Sequence, residues 1–147
     1  MQEGYKFYTE LNVRYEETDQ MSVVYYGKYF VYFEVARTEY LKNIGHSYPE
    51  IEKRGMFFVV AEVNCKYLSP ARYDDMIRVY TKVDYVKNSS FNFVYDMVRI
   101  LPGEGGEDAE EPVAKGNSVL VCVDRTAFKP IRMPDYLRTA VLNFESK

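Results

Sequence analysis

The chain has 147 residues, a hydrophobic fraction of 47% and an aromatic fraction of 16%. These values exclude a disordered polypeptide, and the length suits one domain, residues 1–147, with its own core. The net charge of −3 gives no electrostatic reason to expect a nucleic-acid partner. The longest apolar run, residues 56–61, is far too short to span a bilayer. Because no secretory signal is apparent at the N-terminus, we expect a cytoplasmic protein.

Four segments alternate apolar and polar side chains, which predicts strands with one face turned inward: residues 5–15, 57–68, 77–85 and 91–97. Residues 113–123 are interpreted as a fifth strand. Short turns or a Gly-rich acidic loop join the last four segments, which favours a meander. A short helix after Ser47 and another over residues 135–143 complete the predicted elements.

A further helix is predicted between the first two strands. Its apolar side chains recur at steps of three and four, at Tyr29, Phe33, Ala36, Tyr40 and Ile44. More apolar residues widen this face, so other elements must wrap the helix, and Gly45 is placed to end it. The chain is therefore predicted to form an α+β fold, with a five-stranded antiparallel sheet wrapped around a long central helix. The long apolar strand edges predict pairing with another subunit.

The cysteine and histidine residues limit the chemistry. Cys65 and Cys122 stand alone within predicted strands, which favours free buried thiols in a reducing compartment. His46 is the only histidine, so a multi-histidine metal site within one chain is excluded and we expect no metal. A Ser-His-Asp triad would require His46 to fall into place by chance, and a position at the helix end is favoured for it.

Asp19 lies in an acidic segment, residues 16–20, that leads into the predicted helix. Free N–H groups and the positive dipole end at a helix start favour an oxyanion, and a nearby carboxylate can attack a carbonyl or deprotonate water. From the residues alone, a turn or capping role for Asp19 is the stronger interpretation. Glu16 and Glu17 are interpreted as solvated neighbours, one of which could raise the pKa of Asp19.

One motif in the chain is similar to that of a known family. It reads Tyr15-x-x-Thr18-Asp19-x-x-x-Val23-Val24-Tyr25-Tyr26-x-x-Tyr29-x-x-x-Phe33-Glu34-x-Ala36-Arg37-x-Glu39. With residues 66–75, residues 123–124 and Pro134, it resembles the 4-hydroxybenzoyl-CoA thioesterase-like hotdog family. The resemblance spans nearly the whole chain and is nearest to a bacterial acyl-CoA thioesterase branch, of which some members belong to the Tol-Pal cell-envelope cluster.

The resemblance implies a hotdog fold, dimers that join two sheets into one, and frequently a dimer of dimers, here a homotetramer. It also implies hydrolysis of acyl-CoA without a metal or organic cofactor, CoA being part of the substrate. Asp19 would then take the catalytic carboxylate position, which reverses the preference for a turn residue. The backbone N–H of Tyr26, at the head of the helix, would polarise the thioester carbonyl.

Two positions depart from the branch that the chain resembles. Many members have His where this chain has Tyr26, so an imidazole role is lost while the amide role survives. The branch usually has Gly where this chain has Ser22, so the resemblance leaves open the local backbone geometry and how closely substrate approaches there.

Two turn segments carry donors and positive charge that suit the pantetheine and phosphates of CoA. The predicted substrate-binding residues there are Ser69, Arg72, Lys87 and Ser89, although an ordinary turn explains any one of them. Four more residues around the Asp19 segment are predicted to contact substrate: Tyr15, Val24, Tyr25 and Tyr29. Core packing explains the aromatic residues among them equally well.

An acyl-CoA thioesterase is the leading hypothesis for the function. Two alternatives stay open: an acyl-ACP thioesterase on the same fold, and a non-catalytic acyl-thioester-binding protein. A hotdog dehydratase is disfavoured, because the segment around Asp19 holds no histidine.

Overall fold

The computed structural model describes residues 2–147, without the side chain of Glu104. Its strands are β1 (Tyr8–Asn12), β2 (Met56–Tyr67), β3 (Met76–Val86), β4 (Ser90–Leu101) and β5 (Ala109–Asp124). Its helices are α1 (Lys28–Asn43), α2 (Tyr48–Lys53) and α3 (Asp135–Ser146). Single 3-10 turns lie at Tyr15–Glu17 and Glu104–Gly106. Every predicted strand and helix is present, with shifted bounds.

The five strands form one antiparallel sheet in the order β1-β3-β4-β5-β2. The predicted meander is confirmed for β3, β4 and β5 but is wrong for β2, which pairs with β5. The reason is that α1 comes between β1 and β2 and leaves these strands at opposite edges of the sheet. The link from β2 to β3, residues 68–75, therefore crosses the end of the sheet and meets the segment before α1.

The core lies between α1 and the inner face of the sheet. The inner face of β4 is buried, as its alternation predicts, at Phe91, Phe93, Tyr95 and Met97. The Phe33 ring on α1 stacks on Tyr95 with centroids 4.2 Å apart. Gly116 on β5 makes room for this ring, because a Cβ there would lie 2.7 Å from Phe33 and 2.3 Å from the Asn64 carbonyl oxygen.

Helix α1 has 16 residues and is shorter than the long central helix that the sequence predicts. At 1.5 Å per residue it spans about 24 Å. The helix begins no earlier because Val24 and Tyr25 are held by main-chain hydrogen bonds outside it. Its end follows the prediction, because Gly45 adopts a φ of 93° there. One side of α1 is uncovered, with Val31 40% and Val35 38% exposed, so the sheet of this chain wraps it incompletely.

Cys65 and Cys122 are both free thiols, as predicted; the expected burial is confirmed for Cys122, whereas Cys65 is half-buried. Burial raises the pKa of Cys122 to about 12, so this thiol is protonated at neutral pH. Within residues 2–147, no group of three or more His, Cys, Asp or Glu side chains is arranged to hold a metal ion. No helix in the described part of the chain combines the length and the apolar character that crossing a bilayer requires.

Candidate active site

The segment between β1 and α1 folds back on itself beside the start of the helix. Thr18 and Val24 form an antiparallel bridge. The Tyr25 N–H then donates to the Glu17 carbonyl oxygen at 2.9 Å. These contacts close residues 17–25 into a loop, which we name the Asp19 loop.

Asp19 is half-buried at the tip of this loop. Its N–H donates to the Val23 carbonyl oxygen at 2.9 Å, and its Oδ1 accepts the Met21 N–H at 2.8 Å. Its Oδ2 accepts no hydrogen bond from residues 2–147. The turn role and the catalytic role are therefore compatible in Asp19, since one carboxylate oxygen fixes the turn and the other is free for a substrate or a water.

Ser22 has a φ of 66°, a conformation that costs a non-glycine residue roughly 1–2 kcal/mol. Its N–H donates to the Asp19 carbonyl oxygen at 2.9 Å, so the strained residue helps to close the turn. Ser22 therefore adopts a backbone conformation that favours glycine, so the serine at this position is held under backbone strain.

The start of α1 presents two free amides. The N–H groups of Tyr26 and Gly27 donate to no acceptor within residues 2–147, whereas the Lys28 N–H already donates to the Tyr25 carbonyl oxygen. The Tyr67 hydroxyl on β2 donates to the Tyr26 carbonyl oxygen at 2.9 Å. This bond orients the peptide unit that carries the Gly27 N–H. Fixed donors at a helix start are the arrangement that stabilises an oxyanion.

The side chains of Tyr25 and Tyr26 are 46% and 62% exposed, with ring centroids 4.6 Å apart. The pKa of Tyr25 is raised, chiefly by the interaction of its hydroxyl with Tyr26 and also by the negative charge of Asp19. Tyr25, the last residue of the Asp19 loop, thus lies within electrostatic reach of the Asp19 carboxylate. The loop leads through Tyr26 and Gly27 directly into α1.

The link between β2 and β3 forms a second wall of the site. The Ala71 carbonyl oxygen accepts the Val24 N–H at 2.8 Å. Asp75 anchors the link, since its Oδ2 accepts the Arg72 N–H at 2.8 Å and Nη1 of the largely buried Arg99 at 2.7 Å. The Arg72 guanidinium is exposed and forms no salt bridge with the described residues, so it is available to an anionic ligand.

An open cleft of about 730 Å³ lies in front of Asp19. Tyr15 and Tyr73 stand on its wall, 76% and 60% exposed, with their rings edge to face at 5.6 Å. The Ser69 hydroxyl donates to the Pro112 carbonyl oxygen at 2.6 Å and so holds the link to β5. Its oxygen can still accept a hydrogen bond, so its predicted contact with substrate stays a prediction.

A smaller pocket of about 290 Å³ lies between the helix start and the link. Val24 and Tyr29 line it, and both are also core residues, 4% and 3% exposed. The Tyr29 ring packs against Tyr67 with centroids 4.8 Å apart. These residues therefore serve core packing and border a pocket at the same time.

The interpretation of Glu16 and Glu17 as solvated neighbours is confirmed for Glu16 and wrong for Glu17. The Glu16 side chain is 73% exposed, whereas Glu17 is 4% exposed. Burial by itself would raise the pKa of Glu17, but hydrogen bonds from the Arg14 N–H and the Tyr32 hydroxyl bring it below the usual range. The site thus contains a second, buried and ionised carboxylate two residues before Asp19.

The model of the thioesterase-like superfamily matches residues 13–141. The chain belongs to this superfamily. It is 38% identical over 124 residues to YneP of Bacillus subtilis (strain 168), and this alignment covers 84% of this chain and 83% of that protein. It is 33% identical over 125 residues to the acyl-CoA thioester hydrolase YbgC of Escherichia coli O6:H1, with 84% and 87% covered. A crystal structure of a DHNA-CoA thioesterase from Staphylococcus aureus superposes with a TM-score of 0.79 and 34% identity, over 95% of this chain and 94% of that one.

These similarities confirm the hotdog fold and the expectation of a thioester hydrolase at the level of the thioesterase-like superfamily. The site described above lies within the matched residues. The roles of the individual side chains stay predictions.

Lys87 and Ser89, which the sequence predicts to bind substrate, lie in the turn between β3 and β4. Residues 69–72 precede β3, and that strand of 11 residues separates the two turns by roughly 30 Å. Within one chain, Lys87 and Ser89 are therefore not brought together with Asp19. The sequence could not reveal this, because it shows the turns but not the ends of the sheet on which they lie.

Sequence reasoning missed Gly27, Tyr67 and Tyr73 as members of the site. No local pattern shows that the last residue of β2 reaches the Tyr26 carbonyl oxygen. His46 follows the end of α1, as predicted, and its ring packs on Tyr136 at 5.1 Å. It lies a full helix length from the helix start, so it takes no part in this site.

Proposed function

We propose that the chain is an acyl-CoA thioesterase with Asp19 as its catalytic carboxylate and the N–H groups near Tyr26 as polarising donors. The closed Asp19 loop supports this proposal most directly, since it holds a carboxylate with an unused oxygen and leads straight into the unused amides at the helix start. The named activity of the relative YbgC supports acyl-CoA as the substrate class.

Two reaction steps suit the carboxylate. As a nucleophile, Oδ2 of Asp19 attacks the thioester carbonyl carbon, the C–S bond breaks, the CoA thiolate leaves, and water hydrolyses the resulting anhydride. As a general base, Asp19 takes a proton from water, whose oxygen attacks the same carbon before the thiolate leaves. In either case the carbonyl oxygen becomes negative and is stabilised by the amides at the start of α1. Neither route uses a metal or an organic cofactor.

Different parts of the site suit the carrier and the acyl group. The exposed guanidinium of Arg72 is suited to a phosphate of CoA. The paired rings of Tyr15 and Tyr73 offer flat apolar surface with polar tips, which suits the less charged part of the carrier. The pocket bordered by Val24 and Tyr29, next to the start of α1, offers apolar space for an acyl group.

The exposed edge of β2 supports a homodimer. This strand has 12 residues and, among residues 2–147, pairs only with β5. Val60 and Val63 on β2 are 44% and 40% exposed, and with Val31 of α1 they line one groove. Pairing of two β2 strands would satisfy the edge and cover this groove, as the hotdog resemblance implies.

Such a dimer would also bring the turn between β3 and β4, which is distant from Asp19 within one chain, to an Asp19 site. If the β2 strands pair antiparallel about a two-fold axis, the Met56 end of one meets the Tyr67 end of the other. Lys87 and Ser89 of the partner subunit then lie at the same end of the joined sheet as Asp19. We propose that the partner's turn binds the phosphates of the CoA, and that two such dimers assemble into a tetramer. The cytoplasmic location and the Tol-Pal branch stay predictions.

Light scattering coupled to size exclusion tests the assembly. Four copies of 17.3 kDa give a mass of about 69 kDa. Val63→Asp, on the edge strand, should lower the mass to that of a monomer and reduce the rate of hydrolysis. Leu142→Asp is the matched control, because Leu142 is similarly exposed, at 49%, but lies on α3. A concentration-independent monomer of the unaltered chain would contradict both the assembly and the shared site.

A thioesterase assay tests the function with acyl-CoA substrates from acetyl to palmitoyl and with benzoyl-type esters. We expect release of CoA with at least one of them. Faster hydrolysis of the matching acyl-ACP would favour the acyl-ACP alternative. Binding of acyl-CoA without turnover by the purified protein would support the non-catalytic alternative and overturn the proposal.

A further inference from the structure

The buried carboxylate of Glu17 makes more contacts than a turn residue needs. Its Oε1 accepts the Arg14 N–H at 2.8 Å and the Tyr32 hydroxyl at 2.9 Å. Its Oε2 accepts Nη2 of Arg14 at 3.1 Å. With 4% exposure, this carboxylate is stable in its ionised form only while these donors stay in place.

These contacts join the separate parts of the site. Tyr32 lies in the second turn of α1, so the carboxylate ties the 3-10 turn before the Asp19 loop to the helix. The main-chain carbonyl oxygen of the same residue, Glu17, accepts the Tyr25 N–H at 2.9 Å. Tyr25 immediately precedes Tyr26, whose amide is one of the free donors. One residue therefore fixes both arms of the loop relative to the helix start.

We propose that Glu17 is a positioning residue, which sets the distance between the Asp19 carboxylate and the amides at the start of α1 through its bond to Tyr32. The inference rests on the proposed function and adds a residue that need not touch the substrate. The rate of a reaction that depends on near-contact geometry falls steeply with small displacements; a shift of about 1 Å can cost 100-fold. Loosening of Glu17 should therefore act on kcat more than on KM.

The chain offers a matched control on the same helix. Tyr40, near the far end of α1, donates its hydroxyl to Oε2 of Glu145 on α3. Glu145 also accepts the Val83 N–H at 2.9 Å. The Tyr32–Glu17 and Tyr40–Glu145 pairs are both tyrosine–glutamate hydrogen bonds between buried or half-buried side chains. Only the Glu17 pair adjoins the Asp19 loop.

The test compares Glu17→Gln and Tyr32→Phe with Glu145→Gln and Tyr40→Phe. We expect kcat to fall roughly 10- to 100-fold in the first pair, with KM changed less than about threefold. The control pair should lower the melting temperature comparably and keep kcat within about twofold. Because Glu17 and Tyr32 act as a unit, the double variant should lose no more than the larger single loss. Tyr32→Phe keeps the test valid if Glu17→Gln does not fold.

Amide hydrogen exchange provides a readout that does not need activity. Faster exchange over residues 18–27 is expected in Glu17→Gln and Tyr32→Phe, and not in the control pair. If the unaltered chain hydrolyses no thioester, the proposed function fails while exchange still decides the positioning role. Unchanged exchange over these residues, or a kcat equal to that of the control pair, would overturn the inference.

Discussion

The two ends of α1 carry the same interaction in different surroundings. At the start, the Tyr32 hydroxyl donates to Glu17 beside a loop with a strained Ser22 and free amides. At the far end, Tyr40 donates to Glu145 within a closed group of rings formed with Phe7, Phe93 and Phe144. A tyrosine–glutamate bond therefore closes the core at one end and holds an open site at the other.

The tyrosines show the same contrast. Tyr15, Tyr25, Tyr26 and Tyr73 are 46% to 76% exposed around the Asp19 loop. Tyr40 is fully buried at the opposite end. Exposed rings have a free energy cost in water unless they contact a ligand or a partner, so their concentration at one end supports a binding site there. The abundance of tyrosine in this chain therefore has two separate explanations.

The largest expected effect comes from the carboxylate at the tip of the loop. Asp19→Asn keeps the shape of the side chain and the bond to the Met21 N–H but removes the base. We expect kcat to fall about 10²–10⁴-fold, equivalent to roughly 3–5 kcal/mol of barrier, with little change in melting temperature. Single turnover in ¹⁸O-water then separates the roles, since only a nucleophilic carboxylate acquires the label.

Asp124 supplies the control for this variant at the other end of the sheet. Its Oδ2 accepts the Thr126 and Ala127 N–H groups, so it also fixes a turn. Asp124→Asn should leave kcat within about twofold. If folded Asp19→Asn keeps a near-normal kcat as well, the two aspartates are equivalent turn residues and the catalytic site lies elsewhere.

A smaller effect is expected from the hydroxyl that orients the helix start. Tyr67→Phe removes the hydrogen bond to the Tyr26 carbonyl oxygen, and a hydrogen bond of this kind contributes about 1 kcal/mol. We therefore expect kcat to fall roughly 5- to 10-fold in steady-state assays. Tyr26→Phe should retain most activity, because it leaves the backbone N–H untouched. A larger loss in Tyr26→Phe than in Tyr67→Phe would show that the Tyr26 hydroxyl takes part in the chemistry.

The comparison of the two ends also shows what the sequence could predict. Alternation predicted four of the five strands and the inner face of β4, because burial on one face leaves a regular pattern. The pairing of β2 with β5 left no such pattern, since strand order depends on contacts between distant segments. The family motif pointed to Asp19 and Tyr26.

The rest of the site depends on side-chain direction, which the sequence does not encode locally. Glu17 and Glu16 are adjacent and identical in type, yet one is buried and the other solvated. The difference arises from the 3-10 turn at Tyr15–Glu17, which aims Glu17 toward Tyr32. Tyr67 likewise reaches Tyr26 only because β2 lies at the sheet edge beside the helix start.

The smallest expected effect concerns backbone strain, which occurs in turns at both ends of the sheet. Ser22 in the Asp19 loop and Phe128 in the turn after β5 have φ values of 66° and 57°. Glycine relieves roughly 1–2 kcal/mol of strain at such a position but loses about 0.5–1 kcal/mol through the greater freedom of the unfolded chain. Ser22→Gly and Phe128→Gly should therefore each raise the free energy of unfolding by about 0.5–1 kcal/mol, or the melting temperature by a few degrees.

Kinetics then distinguish the two strained turns. Phe128 is 62% exposed, lies far from Asp19 within one chain and is not among the proposed substrate-binding residues, so Phe128→Gly should leave kcat unchanged. Ser22→Gly keeps the N–H that donates to the Asp19 carbonyl oxygen, and we expect kcat within about threefold of the unaltered chain. Ser22→Ala retains the strain, so it should show no gain in stability in urea titrations. A loss of stability in Ser22→Gly would mean that the serine hydroxyl stabilises the turn by more than the strain costs.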